Sequence, residues 1–176
     1  LTGNDAGLGE WLYYLTIFGT PSATEPWGWQ LDGHHININC FVLGDQVVLT
    51  PTMLGAEPVF GDRASYLGIR EFEDEEQRAL ELMAALSSAQ RDEATLFPSM
   101  LSTDLPPARY DPANGRQQAH ALRDNVVIPY EGTRVAQFTT AQRDALMRVV
   151  EAHTAILRPG DLAVRLDEVR AHLDET

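Results

Sequence analysis

Apolar and polar residues alternate along the segment from Trp27 to Thr50, a pattern typical of strands that bury one face. The alternation predicts strands over residues 27–31, 34–42 and 46–50, and the "LGDQ" segment between the last two predicts a hairpin turn. Gly33 interrupts the alternation between the first two strands, which indicates a bulge or a tight turn. These segments together predict a small antiparallel meander.

The spacing of apolar residues is helical in other parts of the chain. Residues 9–18, "GEWLYYLTIF", predict a short helix, and residues 74–86 predict another. The capping-box signals "SSAQ" at 87–90 and "TTAQ" at 139–142 each predict the start of a further helix. "SAQRDEA" and "TAQRDAL" resemble each other, and the reuse of one good helix start explains this better than a duplicated unit, because the flanking sequences differ.

These elements predict an α+β fold, in which a small antiparallel sheet of about three to five strands packs with several helices. The chain of 176 residues is expected to form a single domain or the N-terminal portion of one. Within it, residues 1–70 are expected to hold a helix plus the β-meander and residues 71–100 to be helical. Residues 101–138 are expected to form a long loop, and residues 139–176 a helical hairpin.

Charge and composition exclude several classes of partner. The chain has 13 basic and 26 acidic side chains, a net charge of −13, so we expect no binding to nucleic acid and none to an anionic membrane surface. No apolar run approaches the roughly 20 residues that span a bilayer. The single cysteine, Cys40, excludes an internal disulfide and fits a cytoplasmic location, although export with a removed leader stays open.

Candidate chemistry lies just after Gly33. If residues 34–42 form a regular strand, His34 points to the apolar face with Ile36, and His35 points to the polar face with Asn37 and Asn39. His35 is then open to three interpretations: a metal ligand, a general base or hydrogen-bond donor, or a histidine satisfied within the fold. On such a strand the two imidazoles point in opposite directions and cannot bind one ion, unless a bulge at Gly33 turns His34.

Other residues are weaker candidates for a substrate pocket. Trp27 and Trp29 share one strand face, where paired indoles build either core or the wall of a ligand pocket. Arg123 and Glu131 could supply polar contacts, although Glu131 also fits a role as a cap or turn residue. The chain has no G-x-S-x-G elbow, no P-loop and no dinucleotide fingerprint.

Four segments make a family resemblance visible: "FGTPSATEPWGWQLDGHH", "GDQVVLTPTMLGAEP", "RDNVVIPYEG" and "EVRAHLDET". They occur in order along the chain and closely resemble the family named domain of unknown function 3500. The resemblance implies that relatives continue past the segment matching "HLDET" with a strand-rich part that carries an H-x-H motif. It therefore implies that this chain is the N-terminal portion of a longer protein.

The resemblance also bears on the histidines. It implies that His34 and His35 are half of a divalent metal site for Zn, Fe or Cu, completed by the C-terminal portion of the same protein or by a second chain, with a homo-oligomer as one option. We therefore expect a metal-dependent enzyme acting on a small organic molecule, a hydrolase, lyase or oxygenase, in which Asn37 and Asn39 orient substrate or water. The alternatives are a non-catalytic small-molecule binding module and the structural half of a split protein.

Overall fold

The computed structural model describes residues 11–109, 127 and 129–175. They form an α+β arrangement of a four-stranded antiparallel sheet and four α-helices, as the sequence predicts. The chain divides into two compact units, Leu1–Glu71 and Phe72–Thr176. The sheet lies in the first unit and the four helices lie in the second.

The sheet of the first unit is a meander with the strand order β1-β2-β3-β4, and each strand pairs antiparallel with the next. Its strands are β1 (Tyr14–Phe18), β2 (Trp27–Gly33), β3 (Ile36–Leu43) and β4 (Gln46–Leu54). The predicted strands over β2, β3 and β4 are confirmed, and the predicted hairpin turn is made by Gly44 and Asp45. Gly44 has a φ of +60°, a conformation that glycine adopts without steric cost.

The helix predicted over residues 9–18 is wrong for the part of that segment which the structure describes. Tyr14–Phe18 form strand β1, which pairs with β2 from Tyr14↔Asp32 to Phe18↔Gly28. A short run that is apolar on every side does not distinguish a helix from a strand. Aromatic and β-branched side chains favour the pleated surface, and here the pairing with β2 decides the outcome.

The alternation of strand residues gives the sheet two different faces. One face carries apolar residues of all four strands, among them Leu15, Trp29, Ile38 and Leu54. The other carries polar residues in the middle of the sheet and aromatic residues around them. Within the described part of the first unit, Gly28 and Cys40 are the residues classed as buried, so the core of this unit is small.

Four helices and several short 3-10 turns make up the described part of the second unit. The helices are α1 (Glu73–Ala85), α2 (Ser88–Ala94), α3 (Thr140–Thr154) and α4 (Pro159–His172). Acidic residues 73–76 fill the first turn of α1, where carboxylates interact favourably with the helix dipole. The buried apolar side chains of this unit are Leu86, Leu105, Val135, Ala145 and Leu166. No helix within the described ranges is long and apolar enough to span a membrane.

Both predicted capping boxes are present, and they contact each other. Ser87 and Gln90 cap α2, while Thr139 and Gln142 cap α3. The Gln142 side chain is buried, and its Nε2 donates to the Ala85 carbonyl at 2.9 Å and to Gln90 Oε1 at 2.9 Å. Because Ala85 ends α1, one glutamine connects the ends of three helices. The similar segments that begin α2 and α3 therefore meet in space.

Candidate functional site

His34 and His35 form a two-residue turn between β2 and β3, where Gly33 pairs with Ile36. This corrects the prediction that the second strand begins at residue 34. It also corrects the prediction that the two imidazoles point in opposite directions, because the alternation of a strand does not extend through a turn. The two rings instead contact each other edge to face, with centroids 4.3 Å apart and planes inclined by 71°.

Two glycines and a tyrosine shape the surroundings of this turn. A Cβ atom added to Gly33 would lie 2.7 Å from the Tyr13 ring, so a residue larger than glycine at position 33 would displace that ring. The Gly55 amide donates to the His35 carbonyl at 2.8 Å. The His35 Nδ1 atom lies 3.2 Å from the place where a Gly55 Cβ would be. The His35 side chain is therefore half-buried beside Gly55, while His34 is exposed.

Next to the turn, four polar side chains are joined by hydrogen bonds across β2 and β3; we call Gln30, Asp32, Asn37 and Asn39 the amide ladder. Gln30 Nε2 donates to Asp32 Oδ1 at 3.3 Å, and Asn37 Nδ2 donates to the same oxygen. Asn39 Nδ2 donates to Asn37 Oδ1 at 2.7 Å. In the register of the sheet Asp32 faces Asn37 and Gln30 faces Asn39, so the four side chains share one face. The predicted placement of Asn37 and Asn39 on a polar face is thus confirmed.

A register shift between β3 and β4 places a backbone carbonyl beside Asn39, at the end of the amide ladder that lies away from the turn. The pairing of β3 with β4 shifts register between Ile38 and Cys40, so the residue between them, Asn39, faces a bulge. Pro51 lies in this part of β4, where a residue without an N–H group is tolerated because the regular pairing is interrupted. Its carbonyl accepts a hydrogen bond of 2.9 Å from Asn39 Nδ2. The Asn39 side chain thereby supplies a hydrogen bond to β4 at the position where the backbone pairing of β3 with β4 is interrupted.

The two tryptophans lie on the opposite face from the amide ladder. The register places Trp29 between Ile17 and Cys40, and the Trp27 indole N–H donates to the Ser22 carbonyl at 3.0 Å. Along β2, Trp29 is four residues from Gly33, the last residue before the turn, about 13 Å at the rise of a strand. The tryptophans therefore belong to the apolar face, and their role as a pocket wall stays a prediction.

The remaining two candidates fall elsewhere in the chain. Glu131 lies in the second unit, where its Oε1 pairs with the Arg109 guanidinium. Arg109 also lies over the Phe97 ring, with its guanidinium carbon 5.8 Å from the ring centroid. The role of Glu131 as a polar contact in a substrate pocket stays a prediction. Arg123 lies outside the described residues.

Asp32 and Gln30 are the polar residues that the sequence reasoning missed. Asp32 accepts the hydrogen bonds of two side chains and stands directly before the Gly-His-His segment. A signal for both residues was available, because a hairpin closed by Gly33 and Ile36 pairs Asp32 with Asn37 and Gln30 with Asn39. The prediction of a strand that began at His34 concealed that pairing.

The described residues alone do not form a complete metal site. Among them, no group of three or more His, Cys, Asp or Glu side chains is placed to hold a metal ion. The His34–His35 turn therefore offers two nitrogen donors, fewer than the three protein ligands that a catalytic zinc site uses.

Comparison with known proteins identifies the family of this chain. No curated protein matches the chain. No solved structure matches it either. The family model described as protein of unknown function DUF3500 matches residues 1–176, the whole of this chain. The chain therefore belongs to the DUF3500 family.

Proposed function

We propose that the protein is a metal-dependent enzyme that acts on a small organic molecule, and that the His34–His35 turn supplies two of its metal ligands. The observation that supports this is the contact between the two imidazoles, whose centroids are 4.3 Å apart on a single two-residue turn. Neighbouring rings can turn their nitrogen atoms toward one point without moving the strands. A regular strand would have separated them.

The ligand set requires donors beyond the turn. Imidazole suits zinc, iron and copper, and these ions take three or more protein ligands in most sites. Within the described residues no third His, Cys, Asp or Glu joins the pair. The proposal therefore places the remaining donors in a further segment of the protein, or in a second chain, which includes a second copy of this one.

The neighbouring side chains indicate what such an ion would do. A redox-inert ion polarises a carbonyl or activates water, which gives hydrolase or lyase chemistry, while iron or copper gives oxygen chemistry. Asn37 and Asn39 are held by hydrogen bonds on the face next to the turn. Because they are fixed before a substrate arrives, they are suited to orienting a substrate or a water molecule.

The test is the metal content of the intact protein, measured by plasma mass spectrometry after gel filtration. Wild-type protein is expected to hold about one transition-metal ion per complete site. The variants His34→Ala and His35→Ala are each expected to lose most of it, because an imidazole ligand cannot be replaced by water without loss of affinity. His153→Ala is the matched control, since His153 is an exposed histidine whose Nδ1 lies 2.9 Å from the Val149 carbonyl. An equal metal content in all four proteins would reject the proposal.

A second candidate is that this chain is the structural half of a split protein, without a site of its own. The observation that favours it is the apolar face of the sheet, which leaves large side chains exposed. Leu15 is 65% exposed, Val47 63% and Leu54 43%. Soluble monomers seldom expose a contiguous apolar surface of this kind. Gel filtration of the isolated chain tests it: a monodisperse, cooperatively unfolding monomer that does not bind a hydrophobic dye would contradict it.

A further inference from the structure

We infer that the face of the sheet which carries the amide ladder binds a neutral polyhydroxylated ligand, a carbohydrate chain. The inference does not rest on the proposed metal. It rests on the direction of the ladder's hydrogen bonds, on the absence of cationic side chains from this sheet, and on the aromatic residues that surround the ladder on the same face.

The hydrogen bonds of the ladder can run in one direction only. The Asp32 carboxylate and the Pro51 carbonyl are acceptors, so the amide groups that contact them must donate. Asn37 Nδ2 therefore faces Asp32, which leaves Asn37 Oδ1 to accept from Asn39. The acceptors at the two ends of this series of hydrogen bonds, Asp32 and the Pro51 carbonyl, both require this orientation of the amide groups. The four side chains consequently have fixed orientations.

Because the amide N–H groups of the ladder are held in place, the oxygen atoms that make no bond within it also have fixed positions. Asp32 Oδ1 accepts two bonds, whereas Asp32 Oδ2, Gln30 Oε1 and Asn39 Oδ1 make no hydrogen bond to another described residue. These four residues are half-buried, so their oxygens are positioned by the sheet and still reach solvent. A row of oriented acceptors is complementary to a ligand that donates several hydrogen bonds. Sugar hydroxyls are such donors.

Charge disfavours anionic ligands on this face of the sheet. All 13 basic residues of the chain are arginines, and the first of them is Arg63, so the sheet from Tyr14 to Leu54 carries neither lysine nor arginine. The ladder itself holds a carboxylate. A phosphate or carboxylate ligand on the strands would meet the Asp32 carboxylate with no lysine or arginine of the sheet to offset it. A neutral ligand avoids this cost.

Aromatic side chains frame the ladder on the same face. The register sets Tyr14 opposite Asp32, and it sets Phe18 and Phe41 on either side of Gly28. These three rings are 60%, 53% and 47% exposed. Tyr14 and Phe18 are four residues apart, about 13 Å along the strand. Exposed rings at both ends of a polar row fit a ligand that has apolar C–H faces as well as hydroxyl groups, which is the chemistry of a pyranose chain.

Affinity electrophoresis in native gels tests the inference. The intact protein is run through gels that contain a β-glucan, a xylan, a mannan or a galactan, with polygalacturonate as the anionic comparison; the net charge of −13 on this chain favours migration toward the anode. At least one neutral polysaccharide is expected to retard it, and polygalacturonate is not. Retardation by none of the four, or equal retardation by polygalacturonate, would overturn the inference.

Two neighbouring residues of β1 provide matched variants. Tyr14→Ala removes a ring beside the ladder, and Leu15→Ala removes a comparably exposed side chain from the opposite face. Tyr14→Ala is expected to weaken binding about tenfold, roughly the contribution of one aromatic contact, while Leu15→Ala leaves it unchanged. Tyr14→Trp keeps a ring and should keep binding, which separates loss of the contact from loss of the fold. An equal loss in Leu15→Ala would contradict the assignment to this face.

Carbohydrate binding and metal binding can be tested separately with one further variant. A protein with His34→Ala and His35→Ala together is expected to lose its metal and still be retarded by the polysaccharide. Loss of retardation in that protein would place the sugar at the turn and would overturn its assignment to the ladder. Retardation without any metal in wild-type protein would reject the proposed enzyme and leave the carbohydrate site standing.

Discussion

Replacement of Gln142 by alanine is expected to destabilise the helical unit more than any exposed polar substitution in it. The Gln142 side chain is 7% exposed and makes three hydrogen bonds of 2.9 Å. Its Oε1 accepts from the Thr139 amide, and its Nε2 donates to the Ala85 carbonyl and to Gln90. The substitution therefore removes half of one capping box and the contacts that connect α3 to α1 and α2.

The size of the effect follows from these bonds. A neutral hydrogen bond contributes about 1 kcal/mol net, and an N-terminal cap contributes about the same. Loss of three bonds together with buried methylene groups predicts a decrease of about 2–4 kcal/mol in the free energy of unfolding. Gln90 shares one of the bonds, so a double-mutant cycle between Gln90→Ala and Gln142→Ala should give a coupling energy of about 1 kcal/mol.

Urea denaturation followed by circular dichroism measures both quantities. Gln77→Ala is the control, because Gln77 is also a helical glutamine but makes a single exposed bond, 3.2 Å to Glu81. It is expected to change the free energy of unfolding by less than about 0.5 kcal/mol. If Gln142→Ala costs no more than Gln77→Ala, or if the cycle shows no coupling, the contact between the two capping boxes does not stabilise the protein.

Two further predictions concern the backbone and the pH response. Gly61→Ala is expected to lower stability by about 2 kcal/mol or more, because its Cβ would lie 1.9 Å from the Tyr66 carbonyl oxygen, whereas Gly160→Ala in α4 meets nothing within 4 Å and should be neutral or slightly stabilising in thermal unfolding. The pKa of Glu81 lies below its ordinary value because Gln77 and Arg78 donate to its carboxylate. Its contribution to stability is therefore present above the ordinary pKa of a glutamate and is lost as the pH falls through the lowered one. An NMR titration in which Gln77→Ala leaves the Glu81 midpoint unchanged would contradict this cause.

Local signals in the sequence predicted much of the fold. Alternation from Trp27 onward predicted β2, β3 and β4, because half-buried antiparallel strands reveal their faces in a period of two. The capping boxes of Ser87 and Thr139 were predicted because a cap depends on four consecutive residues. That these two boxes would meet could not be predicted, since the bond from Gln142 to Gln90 spans 52 positions.

The sequence predicted the face on which Asn37 and Asn39 lie, but not the geometry of the His34–His35 turn. Asn37 and Asn39 lie on the polar face as expected. The contact between His34 and His35 was missed because the strand was predicted to begin at His34, whereas the pairing of Gly33 with Ile36 makes the two histidines a turn. Asp32 was missed for the same reason, since its role depends on which residue of β3 lies opposite it.

X-ray absorption at the metal edge of the intact protein examines the ligands of the proposed ion directly. With a bound ion, the spectrum of wild-type protein is expected to show the multiple scattering of at least two imidazole rings, and the spectra of His34→Ala and His35→Ala are each expected to show one ring fewer. His153→Ala should match wild type. A spectrum without imidazole scattering, or one that neither turn variant changes, would contradict the assignment of His34 and His35 as metal ligands.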